Sequence, residues 1–304
     1  MGPRPISTQP DSCSVWYVTG AKRLYFRPQN LTEAVEMLAA CRGQVLAGGT
    51  DFFPALGDRP VAGPLIDLSG VTEIKGIGFE PDYIRIGGLT TWSEVIASAL
   101  PRCCDALKSA AREVGSVQIQ NRGTVAGNLC NASPAADGVP PLLALDAEVE
   151  LASTTGTRRL LLRDFIVGNR ETVRRRDEIL TAVLIPRSAE QAASVFLKLG
   201  ARRYLVISIT MVAAVIMADP RGTISHARVA VGSCSVRAQR LEALERTLLG
   251  IPARAGLGFV ALPEHLATLS PIDDLRATAA YRRDASLTLV GRALEASAES
   301  GRPC

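Results

Sequence analysis

Apolar residues recur at helical spacing over residues 31–42, where Leu31, Val35, Leu38 and Ala39 share one face and Glu33 and Glu36 lie on another; this predicts a helix. A short apolar run, Gln44 to Ala47, reads as a strand that ends in Gly48-Gly49-Thr50-Asp51, and Leu65 to Leu68 reads as a second strand. Tyr83 to Ile86 alternates like a half-buried strand and stops at Gly87-Gly88. Helices are expected over 91–99, capped by Thr90 or Thr91, and over about 103–114. From Gly115 to Asp137 the periodicity fails, and the chain becomes polar and punctuated by glycine. Beyond it come a short helix at Pro141 to Leu145 and strands at Glu148 to Ala152 and Ile179 to Ile185, the latter closed by Pro186.

The pattern then changes. Val195 to Leu199, Ile207 to Met217 and Ala227 to Val231 read as three successive strands, followed by helices at about 237–249, 260–268 and 284–299. Strands followed by helices predict an α+β domain, with the boundary near 188–193. The expected organisation is an N-terminal tail over 1–22, a first domain over 23–188 and a C-terminal domain over 193–300 built on a three-stranded antiparallel sheet.

Composition narrows the chemistry. The 304 residues include 47% hydrophobic and 21% charged positions, which is ordinary globular usage. The net charge is +4 and no basic stripe is interleaved with aromatics, so nucleic acid is not expected as a partner. No uncharged apolar run reaches the length of a membrane span; the longest, Tyr204 to Ala218, reads as buried strand. Met1 to Gly20 lacks the apolar region of a secretion signal, so a cytoplasmic protein is expected. The seven cysteines form no Cys-x-x-Cys pair, and the two histidines, His226 and His265, stand far apart. Neither a metal site, nor a cluster, nor a Ser-His-Asp triad is indicated. Redox chemistry on such a chain needs a bound organic cofactor.

Two segments carry the candidate chemistry. In Leu46 to Asp51, paired glycines after a strand let successive amides converge beside a hydroxyl, which suits a phosphate or serves as an ordinary turn. In Asn121 to Asp137, glycines, asparagines, Thr124, Ser133 and Asp137 alternate with Val125, Leu129 and Ala132, as in a loop packed down against the protein. Neither is a Gly-x-Gly-x-x-Gly dinucleotide fingerprint. Among the smaller signals, Arg174-Arg-Arg176 reads as a solvated turn or a docking surface. Cys103-Cys104 reads as an unreactive pair, one thiol in the core and one at the surface, and Cys130 as packing rather than flavin attachment. Tyr204 is either a core aromatic or a residue stacked on a flavin, and the histidines are surface or capping residues.

With these residues in place, Ala47-Gly-Gly-Thr-Asp51 and Gln118 to Asp137 together resemble the two FAD loops of the medium subunits of xanthine dehydrogenase, carbon monoxide dehydrogenase and related molybdenum hydroxylases. Leu65-Ile-Asp-Leu-Ser69, Glu178-Ile-Leu180, Lys198 before Arg202-Arg203, and Tyr281-Arg-Arg283 follow in the family's order. The resemblance implies a vanillyl-alcohol-oxidase-type (PCMH-like) fold, with two α/β subdomains clasping FAD ahead of the α+β domain. It implies that Ala47, Gly48, Gly49, Thr50 and Asp51, with Thr124, Gly127 and Asn128, wrap the diphosphate through backbone amides. Asn131 and Asp137 would reach sugar and ribityl hydroxyls; Leu180 and Lys198 would lie near the cofactor's ends; Gly115 and Gly123 would allow close passage. No catalytic acid or base is implied.

The same resemblance implies non-covalent FAD here, 2Fe-2S clusters on a small partner subunit, molybdopterin on a large one, and a dimer of heterotrimers. NAD+, a quinone or oxygen would accept the electrons. An N-heteroaromatic such as xanthine or nicotinate would be the substrate. Two rivals make different predictions: a self-sufficient flavin oxidase or reductase turns over alone, and a non-enzymatic nucleotide-binding module purifies colourless. Two positions depart from the family pattern. Ala126 replaces a usual glycine, which is tolerable if its φ is negative, and Gln120 replaces a frequent arginine. The cluster-bearing insertion of the benzoyl-CoA-reducing branch is missing.

Overall fold

A computed structural model describes residues 25–300; the expected tail over 1–22 lies outside the described residues. Strands β1 (Tyr25–Phe26), β2 (Gln44–Leu46) and β3 (Leu65–Asp67) form a parallel sheet in the order β1-β3-β2. Helix α1 (Leu31–Cys41) covers it. Asn30 caps its first turn, and Ala34, Val35 and Leu38 are buried with Ile66 and Leu68.

The second sheet is antiparallel at every pairing, in the order β4-β5-β10-β6-β7: β4 (Ile77–Phe79), β5 (Tyr83–Gly87), β6 (Glu148–Ser153), β7 (Gly156–Leu161) and β10 (Ile179–Pro186). Two α/β subdomains were expected; in this second one, two hairpins, β4–β5 and β6–β7, are joined through the central strand β10. Its edge strands β4 and β7 escape sequence reading because they are short, glycine-containing or polar. Helices α2 (Phe52–Leu56), α3 (Trp92–Ala97), α4 (Asp105–Glu113), α5 (Val117–Gln120), α6 (Val125–Asn131), α7 (Val139–Ala144) and α8 (Leu162–Phe165) connect the strands. A hairpin, β8 (Ile166–Gly168) and β9 (Glu171–Thr172), precedes β10.

The third sheet has the order β11-β12-β13-β14: β11 (Ala193–Leu199), β12 (Thr210–Ala218), β13 (Ile224–Gly232) and β14 (Gln239–Arg240). A short fourth strand therefore replaces the start of the helix expected over 237–249, which begins only at α9 (Glu242–Leu248). The helix expected over 260–268 is a pair of single 3₁₀ turns, Leu257–Val260 and Pro263–Leu266; Pro263 opens the second, and the His265 ring accepts from the Leu262 amide at 3.0 Å. The last helix, α10 (Ala279–Ser300), starts five residues early.

Strand β12 explains its own apolar run. Met211, Ala213 and Val215 face the core shared with α3, α4 and α7, while Val212, Ala214 and Ile216 face the core under α9 and α10. The C-terminal sheet is thus buried on both faces and shares one core with the second sheet. No helix among the described residues is long and apolar enough to cross a membrane.

Two ionic networks hold this frame. Asp146, after α7, pairs with Arg228 on β13 and Arg240 on β14, and Arg240 also pairs with Glu245 on α9. In the second sheet Glu150 is 8% exposed; it accepts from Arg85 at 2.5 Å, from Arg159 at 2.9 Å and from Thr181 at 3.0 Å, which ties β6 to β5, β7 and β10. Burial alone would raise the Glu150 carboxyl, but the two guanidiniums and the hydroxyl hold it below the usual range. A carboxylate with a depressed folded pKa adds stability above its unfolded value, about 4.3 for glutamate, and loses it as pH falls through the folded value. We therefore expect Glu150→Gln to lose about 1–3 kcal/mol at pH 7 in urea unfolding, and progressively less as pH falls through the folded pKa of Glu150, because protonation takes from the parent the same ion-linked hydrogen bonds that the substitution removes.

Candidate functional site

The cleft is assembled from the carboxyl end of β2, where ligands commonly dock on parallel strands. Leu46 is buried, and the chain then turns through Gly49 at φ +73°, a conformation that favours glycine. The Phe53 amide donates to the Gly49 carbonyl at 3.1 Å and starts α2. Among the described residues no group accepts from the amides of Gly48, Gly49, Thr50 or Asp51. These four amides are unengaged among the described residues, as a nest requires.

The second segment is not a loop throughout. Ser116 caps α5 and Thr124 caps α6, so the polar stretch read as irregular contains two short helices; capping residues and glycines hid their periodicity. The turn between them is pinned from behind. The Trp92 amide donates to Gly123 O at 3.1 Å, and the Val125 amide donates to Thr90 O at 3.0 Å. The amides of Gly127 and Asn128 donate to the Thr124 hydroxyl and carbonyl. Of the stretch 124–128, this leaves the amides of Thr124 and Ala126 without an acceptor among the described residues. Ala126 lies inside α6, where φ is negative, so its side chain is tolerated. Gln120 is buried and donates to the Arg112 carbonyl at 3.0 Å.

The two segments meet. A Cβ on Gly48 would lie 1.9 Å from the Arg122 carbonyl oxygen, and one on Gly123 would lie 3.3 Å from Thr50 Oγ1. Around this contact runs a cavity of about 840 Å³ lined by Ala47, Gly48, Gly49, Thr50, Asp51, Gly123, Thr124, Gly127, Asn128, Asn131 and Leu180. A second cavity of about 370 Å³ shares Asp51, Asn128 and Asn131 with it and adds Gly115 and Asp137. The combined cleft is two-lobed, of the size that holds a dinucleotide. Leu180 enters it because β10 bulges between Leu180 and Ala182.

Lys198 lines neither lobe. Its ammonium lies 2.8 Å from Asp137 Oδ2, and the Ser208 hydroxyl lies 2.7 Å from Oδ1. Burial pushes the Asp137 carboxyl up, against the pull of Lys198 and Ser208. Tyr204 is 61% exposed, beside Arg203, in an irregular segment before β12; it belongs to no core.

The sequence reading missed other lining residues. Arg174 and Arg176 line the larger lobe with Arg42 and Arg170, so the basic run is neither a plain solvated turn nor only an outer surface. Their order along the chain gives no sign of this; the β8–β9 hairpin brings them in. Cys130 also lines the lobe, and burial pushes its thiol up to about 11, away from reactivity. Cys103 and Cys104 are both buried, with sulfurs 3.8 Å apart; the expected surface thiol is covered.

Comparison with known proteins agrees with this geometry. Residues 18–188 match the FAD binding domain in molybdopterin dehydrogenase, and residues 196–297 match the CO dehydrogenase flavoprotein C-terminal domain. The chain is 32% identical to the nicotinate dehydrogenase FAD-subunit of Eubacterium barkeri, over 86% of this chain and 90% of that one. It is 28% identical to the carbon monoxide dehydrogenase medium chain of Hydrogenophaga pseudoflava, over 90% and 96%. A solved carbon monoxide dehydrogenase from Hydrogenophaga pseudoflava superposes with a TM-score of 0.82 at 27% identity, over 92% of this chain and 98% of that one. Quinoline 2-oxidoreductase from Pseudomonas putida 86 gives 0.81 at 25%, over 91% and 97%. The chain belongs to the FAD-binding medium subunits of the xanthine dehydrogenase and carbon monoxide dehydrogenase family of molybdenum hydroxylases, and it is an oxidoreductase component.

The residues present fit FAD. The free amides of 48–51 suit a diphosphate. The Asn128 carboxamide oxygen is buried and accepts no hydrogen bond among the described residues, a vacancy that a ligand hydroxyl would fill. Gly48→Ala tests the cradle. The methyl must displace the Arg122 carbonyl, so we expect a fold weakened by about 1–3 kcal/mol and FAD affinity lowered at least tenfold, read by flavin fluorescence titration.

Proposed function

We propose that this chain holds FAD non-covalently across both lobes and is the electron-transfer subunit of a heteromeric molybdenum hydroxylase. The observation that carries the reading is the direct contact of the two glycine segments at the waist of one two-lobed cleft. Gly48 to Asp51, with Thr124 and Ala126, would face the diphosphate through their amides. Asn128 and Asn131 would meet hydroxyls, Leu180 would pack at the larger lobe, and Asp137, set by Lys198 and Ser208, would border the smaller one. Bound FAD supplies exchange between one-electron delivery by an iron–sulfur partner and two-electron delivery to an acceptor. The chain itself binds, orients and shields.

The same reading extends to a small subunit with 2Fe-2S clusters, a large molybdopterin subunit and a dimer of heterotrimers. It takes NAD+, a quinone or oxygen as acceptor and an N-heteroaromatic such as nicotinate or xanthine as substrate; relatives named for nicotinate, xanthine, caffeine and nicotine support it. It assigns 23–188 to a vanillyl-alcohol-oxidase-type FAD domain and 193–300 to a separate C-terminal domain. Free thiols at every described cysteine suit a reducing cytoplasm.

The test is purification with its neighbours. The full chain should be yellow, release FAD on denaturation at one per chain, and co-purify with an iron–sulfur and a molybdopterin chain. Substrate should bleach its flavin only when both partners are present. A colourless chain, or bleaching by an organic substrate without partners, would overturn the reading.

A further inference from the structure

The cationic residues of the larger lobe are not used by the fold in the same way. Glu178, the buried acid of this lobe, is paired with Arg158 at 2.6 Å. Arg174 donates to the carbonyls of Arg175 and Glu178. Arg170 makes no ion pair among the described residues; its guanidinium instead donates to Asn131 Oδ1 at 2.6 Å. Asn131 borders both lobes, so Arg170 is held at their junction.

Its backbone is committed to that position. Gly168 pairs with Glu171, leaving Asn169 and Arg170 as the tip of the β8–β9 hairpin. Arg170 has φ +57°, a conformation that costs stability for any residue but glycine or asparagine. Its amide donates at 2.9 Å to the carbonyl of Ala132, which itself ends α6 at φ +48°. Two strained residues are therefore hydrogen-bonded to each other beside the cleft, and the side chain this presents is an uncompensated cation. Left-handed residues of this kind persist where the surrounding fold over-determines them, and they cluster at ligand sites.

We propose that Arg170 is a charged anchor for the diphosphate of the bound dinucleotide, held in place by Asn131 and the β8–β9 hairpin. This rests on the FAD reading above. The free amides at 48–51 supply partial positive charge, and Arg170 supplies the full charge, in a fork that suits phosphate oxygens.

The test uses the full chain stripped of flavin and titrated with FAD at low and at high salt, for the parent, Arg170→Asn and Arg170→Lys. Asparagine accepts the left-handed backbone, so the flavin-free Arg170→Asn chain should melt no lower than the parent. Its FAD affinity should fall ten- to hundredfold at low salt, the loss of a charge-assisted hydrogen bond. The gap from the parent should narrow at high salt, where the ionic part is screened. Arg170→Lys, which keeps the charge but not the fork, should recover part of the affinity and restore the salt dependence. An Asn variant that binds FAD like the parent, or is weakened equally at both salts, would show that Arg170 only ties the hairpin to α6 and would end the proposal. A parent chain that binds no FAD would instead sink the underlying FAD reading, and the anchor with it.

Discussion

The structure depends on one close approach: the Cα of Gly48 lies directly against the carbonyl of Arg122. Gly48 lies two residues past β2 of the parallel sheet, while Arg122 belongs to the turn that Thr90 and Trp92 hold beside the second sheet. The contact therefore sets the distance between two bodies with largely separate cores. Backbone against backbone is the shortest separation a protein can build, and it leaves the neighbouring amides facing open space rather than each other. A side chain of any size at this point would make the nest and the α5–α6 turn two unrelated surface features.

The surroundings show what that spacing costs and where the cost is borne. Among the described residues, Arg42, Ala132, Asp146, Arg170, Leu205 and Ser233 adopt left-handed backbone without being glycine. Arg42, Arg170 and Leu205 line the cleft, and Ala132 closes the helix beneath it. Strained residues gather at the rim of a site when the surrounding fold over-determines them. Here that fold is firm: a five-stranded sheet cross-tied by Glu150, and a C-terminal sheet buried on both faces.

Much of this frame was legible in the sequence, because burial dictates pattern. β10 and β12 are apolar on both faces and could be little else. The Gly-Gly and Asn-rich segments stood out in the sequence as a ligand site or as ordinary turns, and the structure brings the two into contact. What was not legible depends on tertiary partners. α5 and α6 are short helices made of capping residues, so their own composition argues for a loop. Arg174 and Arg176 border the larger lobe although Arg176 stays exposed, which no local pattern signals. Tyr204 opens an apolar run that becomes a strand only at Thr210, because the residues between form an irregular, largely exposed segment. The resemblance puts Lys198 near a cofactor's end, and the structure adds its ion pair with Asp137, which no sequence pattern shows.

That last pair shows how the C-terminal sheet takes part in the cleft without lining most of it. Lys198 sits on β11 and Ser208 just ahead of β12; both reach the one carboxylate of the smaller lobe that burial would otherwise neutralise. Burial pushes the carboxyl up, while an ammonium at 2.8 Å from one oxygen and a hydroxyl at 2.7 Å from the other pull against it, so both oxygens are engaged from the C-terminal side. The partners that engage Asp137 follow it in the chain by 61 and 71 positions. Docking of the C-terminal sheet thus decides the chemistry of a cleft whose walls come mainly from the first two sheets.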